Sequence, residues 1–239
     1  FEKKGIKFEL NANIKNIKDQ KKSVTFYNND KEIISEALII SIGVIPNLDT
    51  QIIEKTSLKT DKSGYIETNN NYETNVKNIF AIGDIIGGPW LAHKAMHDAI
   101  NCINFIVSGK ASHKPQVHEI PGCIYSFPQI ATVGYTEQQL NDNKIPFKKG
   151  NFPFLANGKS QTMSNVHGFV KTLFNAETGE FLGAHLIGPD VTELISTFGL
   201  AMTSESTEDE FINTIFAHPT LSESIHESVL SAFDKPLHF

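Results

Sequence analysis

The apolar positions change period along the chain, and those changes predict its elements. Residues 6–10, 24–27, 33–34 and 37–42 form short β-type runs separated by turn residues, with a turn at 28–30, so a hairpin feeds a buried strand. The last run is apolar on consecutive positions and is followed by Gly43, the pattern of a parallel strand covered on both faces. Pro46 and Asn47 end this unit. Residues 48–75 are polar and turn-rich, with a turn at 62–64 before a strand-like 65–68, and lead to a second buried strand at 79–82.

From 91 to 107 the period becomes helical. Ala92, Ala95, Met96, Ala99, Ile100, Ile103, Ile106 and Val107 fall on one stripe, predicting an amphipathic helix with Cys102 on its polar or boundary side and Gly109 as its stop. Beyond 118 the chain reads as α+β. Strands are expected near 124–125, 130–133, 148–152, 169–174 and 181–187, with helices between and after them. Three helix starts carry capping boxes: Thr136 with Gln139, Thr207 with Glu210, and Thr220 with Glu223.

Composition narrows the function classes. The chain has 239 residues, 40% hydrophobic and 20% charged, which excludes disorder and collagen-like repeats and suffices for one or two cores. A formal net charge of -6, with no block of like charges, gives no footprint for nucleic acid or an anionic membrane. No apolar run approaches the roughly 20 residues that cross a bilayer, and Phe1 to Lys4 lack a secretory pattern, so a soluble intracellular protein is expected. Cys102 and Cys123 are too far apart in sequence for a redox pair and read as small core residues. All 21 basic residues are lysines, so an anion must be held by Lys, backbone N–H groups or helix termini. The chain begins at Phe1 without Met and is expected to be a fragment of something longer.

Two constellations carry chemistry. Asp84 follows Gly83 at the end of the expected strand 79–82, where open α/β sheets bind ligands, and can accept hydrogen bonds from a polyol such as a flavin ribityl chain. Gly87, Gly88 and Pro89 then form a backbone-exposing turn, and the long helix opens at Leu91, Ala92 and His93. A helix N-terminus stabilises negative charge, as at the N1/C2=O edge of a reduced flavin. The plainer reading of Gly83 and Asp84 is a turn with an Asx cap. The second constellation is His218, Pro219, Thr220, Leu221, Ser222 and Glu223. Pro219 biases His218 toward extended geometry, and Glu223 can orient its ring as a carboxylate orients a general base. Glu223 is equally explained as the N3 residue of the Thr220 capping box, and both readings stand. The other histidines, His93, His97, His113, His118, His167, His185, His226 and His238, show no metal-ligand spacing, and no metal is predicted.

With these residues in hand the chain resembles the C-terminal half of the dihydrolipoyl dehydrogenases, within the pyridine nucleotide-disulfide oxidoreductase family. The likeness runs through Ser41, Ile42, Gly43, Pro46 and Asn47, the segments 74–95, 120–122, 133–137, 152–158 and 183–189, the His218 motif and the terminal 234–239. It implies an α+β interface (dimerisation) domain at 118–239, preceded by partial α/β FAD/NAD(P)-binding segments: the end of an NAD-binding domain at 1–47 and a segment of the FAD-binding, central domain at 48–117. It further implies FAD and NAD as cofactors, with Gly43 toward the nucleotide site, Asp84 on the ribityl chain, and the backbone of Leu91, Ala92 and His93 at the isoalloxazine edge. His218, oriented by Glu223, becomes the acid/base, reaching the active site of the other subunit of a homodimer. The partner is the lipoyl-bearing acyltransferase of a 2-oxo-acid dehydrogenase complex, in the bacterial cytoplasm or mitochondrial matrix.

Two departures qualify the likeness. Val44 and Ile45 stand where the family usually has arginine, and the G-x-G-x-x-G fingerprint and C-x4-C disulfide are absent from this sequence. The chain by itself is therefore expected to bind no FAD and to be inactive. The rival readings are another disulfide reductase, resembling glutathione reductase, and a non-catalytic dimerisation or scaffold module.

Overall fold

The computed structural model describes residues 1–110 and 114–238, so His113 and the terminal Phe239 lie outside the described residues. Three antiparallel strands come first: β1 (Ile14–Asp19), β2 (Val24–Asn28) and β3 (Lys31–Ser35), in that spatial order. Asn28 pairs with Lys31 across a two-residue turn in which Asn29 takes φ 53°, the left-handed backbone that a tight hairpin requires. The strand expected at 6–10 is instead irregular, with Leu10 85% exposed; β1, which pairs with β2, takes its place in the sheet.

The buried strand expected at 37–42 is also corrected. These residues pair with no strand, and Ile39 and Ile42 are 89% and 93% exposed. A parallel strand needs neighbours that take up its N–H and C=O groups, and no described strand lies beside it. Within the stretch read as turns, α1 (Thr50–Thr56) forms because Asp49 accepts the Gln51 N–H at 2.8 Å; it buries no residue and stops at Ser57, φ 58°. The strands expected at 65–68 and 79–82 shrink to single bridges, Thr60 with Ile66 and Glu73 with Phe80. Asp61 and Asn69 bind nearby backbone N–H groups in their place.

The long helix α2 (Ala92–Ser108) runs as expected to Gly109, φ 68°. Its buried face is not the apolar stripe. Lys94, Asp98 and Cys102, four residues apart, are buried, whereas Met96, Ile100, Ile103 and Val107 are 50% exposed or more. The 94/98 face is held by polar bonds to the Gly83–Ile86 turn, which also lies against Ala95, while most of the stripe stays exposed.

Strands β4 (Gly122–Ile124), β5 (Gln129–Gly134), β6 (Phe147–Pro153), β7 (Phe169–Asn175) and β8 (Phe181–Gly188) form an antiparallel sheet in the order β4-β5-β8-β7-β6. β5 to β8 lie where the periodicity placed them. Between and after them come α3 (Glu137–Asp142), α4 (Gly158–Thr162), α5 (Val191–Thr203), α6 (Glu208–Asn213) and α7 (Glu223–Ala232). α5 covers β5 and β8, and α7 covers β6 and β7. Between sheet and helices sit Phe154, Phe174, Phe181, Phe198 and Phe211, with the Phe174 ring 5.6 Å from Phe181 and 5.7 Å from Phe211. Each such side chain contributes roughly 1.5–3 kcal/mol of burial.

α7 approaches the sheet closely because the contact residues are small. A Cβ on Gly150 would stand 1.7 Å from the Ser228 carbonyl oxygen, and the Thr172 and Ser228 hydroxyls meet at 2.9 Å. That contact fixes the helix whose first residue is Glu223. The capping boxes at Thr136 and Thr207 form as read. The one at Thr220 is corrected: α7 begins at Glu223 itself, and the Thr220 hydroxyl donates to the Ala217 carbonyl at 2.7 Å instead of capping the helix. Among the described residues no helix is long and apolar enough to cross a membrane.

Candidate functional site

His218 lies in the loop between α6 and α7, just before a cis bond to Pro219. Its Nδ1 is 2.9 Å from Glu223 Oε1, and its side chain is 77% exposed. The other carboxylate oxygen, Oε2, accepts the Thr220 N–H at 2.8 Å. Glu223 thus orients the ring with one oxygen and braces the turn with the other, although it does not sit at N3 of a capped helix. Burial pushes its carboxyl up, but the Thr220 N–H and His218 outweigh that and hold it below the usual carboxylate value. When Nδ1–H donates to a carboxylate, the neutral ring presents Nε2 as a proton acceptor and its charged form is stabilised.

The turn is tied to the rest of the domain from behind. Asn157, 3% exposed, accepts the Ser160 N–H at 2.9 Å and donates through Nδ2 to the Thr220 carbonyl at 3.0 Å. Four residues beyond Glu223, the buried Glu227 binds the C-terminal segment, with Oε1 2.5 Å from His238 Nδ1.

The second group is built on the Gly83–Ile86 turn and the start of α2. Gly83 takes φ 73°, a backbone that side chains rarely adopt, and a Cβ there would come tight against Ala95 Cβ at 3.2 Å, so glycine suits this close approach. Asp84 is exposed within the Gly83–Ile86 turn, so the turn of the plainer reading is present, with Ile82 rather than Asp84 at its N-cap. Leu91 is the N-cap of α2 without a side-chain cap, leaving the first-turn N–H groups of Ala92 and His93 with no intrahelical partner. His93 has a structural bond the sequence did not suggest, its Nε2 lying 2.8 Å from the Pro121 carbonyl oxygen.

Sequence reasoning missed what holds this group together. Lys94 Nζ is 2.8 Å from Asp98 Oδ2 and donates to the carbonyls of Gly83 at 3.2 Å and Gly87 at 3.4 Å, while Asp98 accepts the Gly83 N–H at 3.1 Å. The Lys/Asp spacing of four residues was the available signal. Gly43 lies in the exposed segment 36–49, where an added Cβ would meet nothing within 4 Å. The described hydrogen bonds and ion pairs do not join the His218 group to the Asp84 group, and Gly43 stands apart from both.

Burial raises the thiol pKa of Cys102 and of Cys123, which suits inert packing residues. Among the described residues no group of three or more His, Cys, Asp or Glu side chains could hold a metal ion. A cavity of about 890 Å³, lined by His93, His97, His118, Cys123, Ile195 and Met202 among others, includes neither His218 nor Asp84.

Comparison with known proteins adds the family. Residues 1–99 match the family model described as pyridine nucleotide-disulphide oxidoreductase, and residues 120–229 match the dimerisation domain of the same family. The chain is 41% identical to dihydrolipoyl dehydrogenase of Zymomonas mobilis over its full length and 52% of that protein, and 38% identical to the Rhizobium etli enzyme of that name over 99% of the chain and 50% of that protein. It therefore spans about half the length of the curated relatives it matches. The solved structure of the HOCl-induced flavoprotein disulfide reductase RclA from Escherichia coli superposes with a TM-score of 0.89 at 22% identity, covering 95% of this chain and 52% of that one, which shows the fold. Two models of one family together span most of these residues, and the chain belongs to the pyridine nucleotide-disulphide oxidoreductases.

Proposed function

We propose that this chain carries the acid/base histidine, the interface domain and the second flavin-contacting segment of a dihydrolipoyl dehydrogenase. In this reading residues 1–47 end the NAD-binding domain, 48–117 belong to the FAD-binding domain, and 118–239 form the interface domain. The observation that carries it is the 2.9 Å bond between His218 and Glu223 on an exposed ring.

The chemistry assigned to His218 is one proton transfer. Nε2 takes the proton of a dihydrolipoyl thiol, and Glu223 stabilises the resulting imidazolium. The freed thiolate attacks an enzyme disulfide, so one S–S bond breaks as a mixed S–S bond forms. That disulfide is not in this sequence, and the exposed ring suits service to the second subunit of a homodimer. The lipoyl groups would be those of the acyltransferase component of a 2-oxo-acid dehydrogenase complex.

The residues present fit a flavin: an exposed carboxylate at Asp84 and uncapped helix N–H groups at Ala92 and His93 flank one turn. Asp84 would hold the ribityl hydroxyls, and the α2 N-terminus would face the pyrimidine edge. When bound, FAD would supply two-electron redox chemistry between a dithiol and NAD+. Around Gly43 the described residues form no cradle for a pyridine nucleotide, and no step is assigned to that position.

The test is dihydrolipoamide-dependent NAD+ reduction by the protein expressed from its whole reading frame. Turnover is expected, with His218→Gln lowering it by roughly 100-fold or more. Unchanged turnover in that variant removes His218 from the mechanism. No turnover with self-association intact would favour a dimerisation module instead.

A further inference from the structure

We propose that Asn157 is a positioning residue for the His218–Glu223 pair, acting through the backbone of Thr220. The functional meaning of the proposal rests on reading His218 as a proton acceptor; its geometry does not.

Asn157 and Thr220 are 63 positions apart in sequence, yet the Asn157 amide lies 3.0 Å from the Thr220 carbonyl. The peptide groups of Thr220 are gripped from both sides: the carbonyl by Asn157 Nδ2, and the N–H by Glu223 Oε2 at 2.8 Å. Glu223 Oε1 in turn holds His218 Nδ1. Hydrogen bonds on either side of the Thr220 backbone therefore connect the α4 turn to the imidazole.

The amide orientation follows from its partners. Oδ1 meets a donor, the Ser160 N–H, and Nδ2 meets an acceptor, the Thr220 carbonyl, so the flipped amide would oppose like groups at both ends. Capping α4 needs only the oxygen, and Asp or Ser would serve as well there. The NH2 group is what this position adds, and among the described residues its partner is the His218 loop. Freed of it, the Thr220 carbonyl loses its donor, the turn can rotate, and Glu223 can leave the orientation in which it holds the ring.

The two functions of Asn157 can be separated in the 239-residue chain. Asn157→Asp and Asn157→Ser keep an acceptor for the Ser160 N–H and lose the donor. Ring 15N NMR of His218, at a pH near 8 where imidazoles are mostly neutral, reads which nitrogen carries the proton. The wild type is expected to hold Nδ1–H, and both variants to revert toward Nε2–H and to melt lower, because the Thr220 carbonyl has lost its donor at a part-buried site. Thr162→Gly, which loosens α4 without touching the amide, should keep the wild-type tautomer. Retention of Nδ1–H in both Asn157 variants overturns the proposal, as does its loss in Thr162→Gly, because any weakening of α4 would then suffice. The measurement involves no turnover, so its failure leaves the His218→Gln activity test standing, and the reverse.

Discussion

Lys94 and Asp98, one helical turn apart on α2, form a 2.8 Å ion pair whose side chains are 9% and 3% exposed, and both partners bind the backbone of Gly83. A buried pair of this kind is sensitive to losing one member, which leaves an uncompensated charge and costs about 3–5 kcal/mol. Lys94→Met or Asp98→Ala is expected to lower the melting temperature by roughly 6–20 °C. The double variant Lys94→Met/Asp98→Leu should recover much of the loss. Single variants that melt like the wild type would show that the pair does not hold the Asp84 turn.

Acid should unfold the interface domain through its carboxylates. Glu137 is held low by the Lys171 ammonium at 2.7 Å, against burial, with help from Lys149; Glu223 is also low, where burial is outweighed by the Thr220 N–H and His218. For a group lower in the folded than in the unfolded state, the stabilisation is complete above the unfolded value, about 4.3 for Glu, and disappears as pH falls through the folded one. Melting temperature is expected to be flat near pH 6 and to fall below about 4.5, less steeply in Glu137→Gln. An equal acid slope in that variant would remove Glu137 from the account.

The apolar stripe of α2 contributes little to this chain's own stability. Ile103→Lys, at a position 57% exposed, should change unfolding free energy by no more than about 0.5 kcal/mol. Cys102→Leu, on the buried face of the same helix, should cost about 1–3 kcal/mol by overpacking. Denaturant titration compares the two, and the reverse ranking would show that the stripe is covered.

Gly150→Ala tests the seat of α7. The added methyl would meet the Ser228 carbonyl, so helix and strand must separate, costing about 1–3 kcal/mol or more. Because Glu223 begins α7, the variant should also loosen the His218–Glu223 bond, visible in the His218 ring 15N shifts. Full stability in Gly150→Ala would contradict the close approach.

Self-association is the fifth property expected of the chain, since residues 120–229 match a dimerisation domain and Leu200 and Ile215 are 70% and 97% exposed. Sedimentation at micromolar concentration should show a dimer with an obligate-type interface. A monomer under those conditions would count against the homodimer.

Local pattern carried β5 to β8, the extent of α2, two capping boxes and the pairing of His218 with Glu223. Each depends on residues within a turn or a strand of one another, where the backbone period or a five-residue spacing dictates who meets whom. Tertiary structure decided the rest. Residues 37–42 have the composition of a buried strand but lie exposed, because burial needs neighbours that sequence period does not report. The polar 94/98/102 face of α2 is the buried one, since the Gly83 turn offers backbone groups that Lys94 and Asp98 can satisfy. Asn157 reaches Thr220 across 63 residues of chain, a bond set by how α7 docks on the sheet beside the α4 turn and invisible to any local pattern.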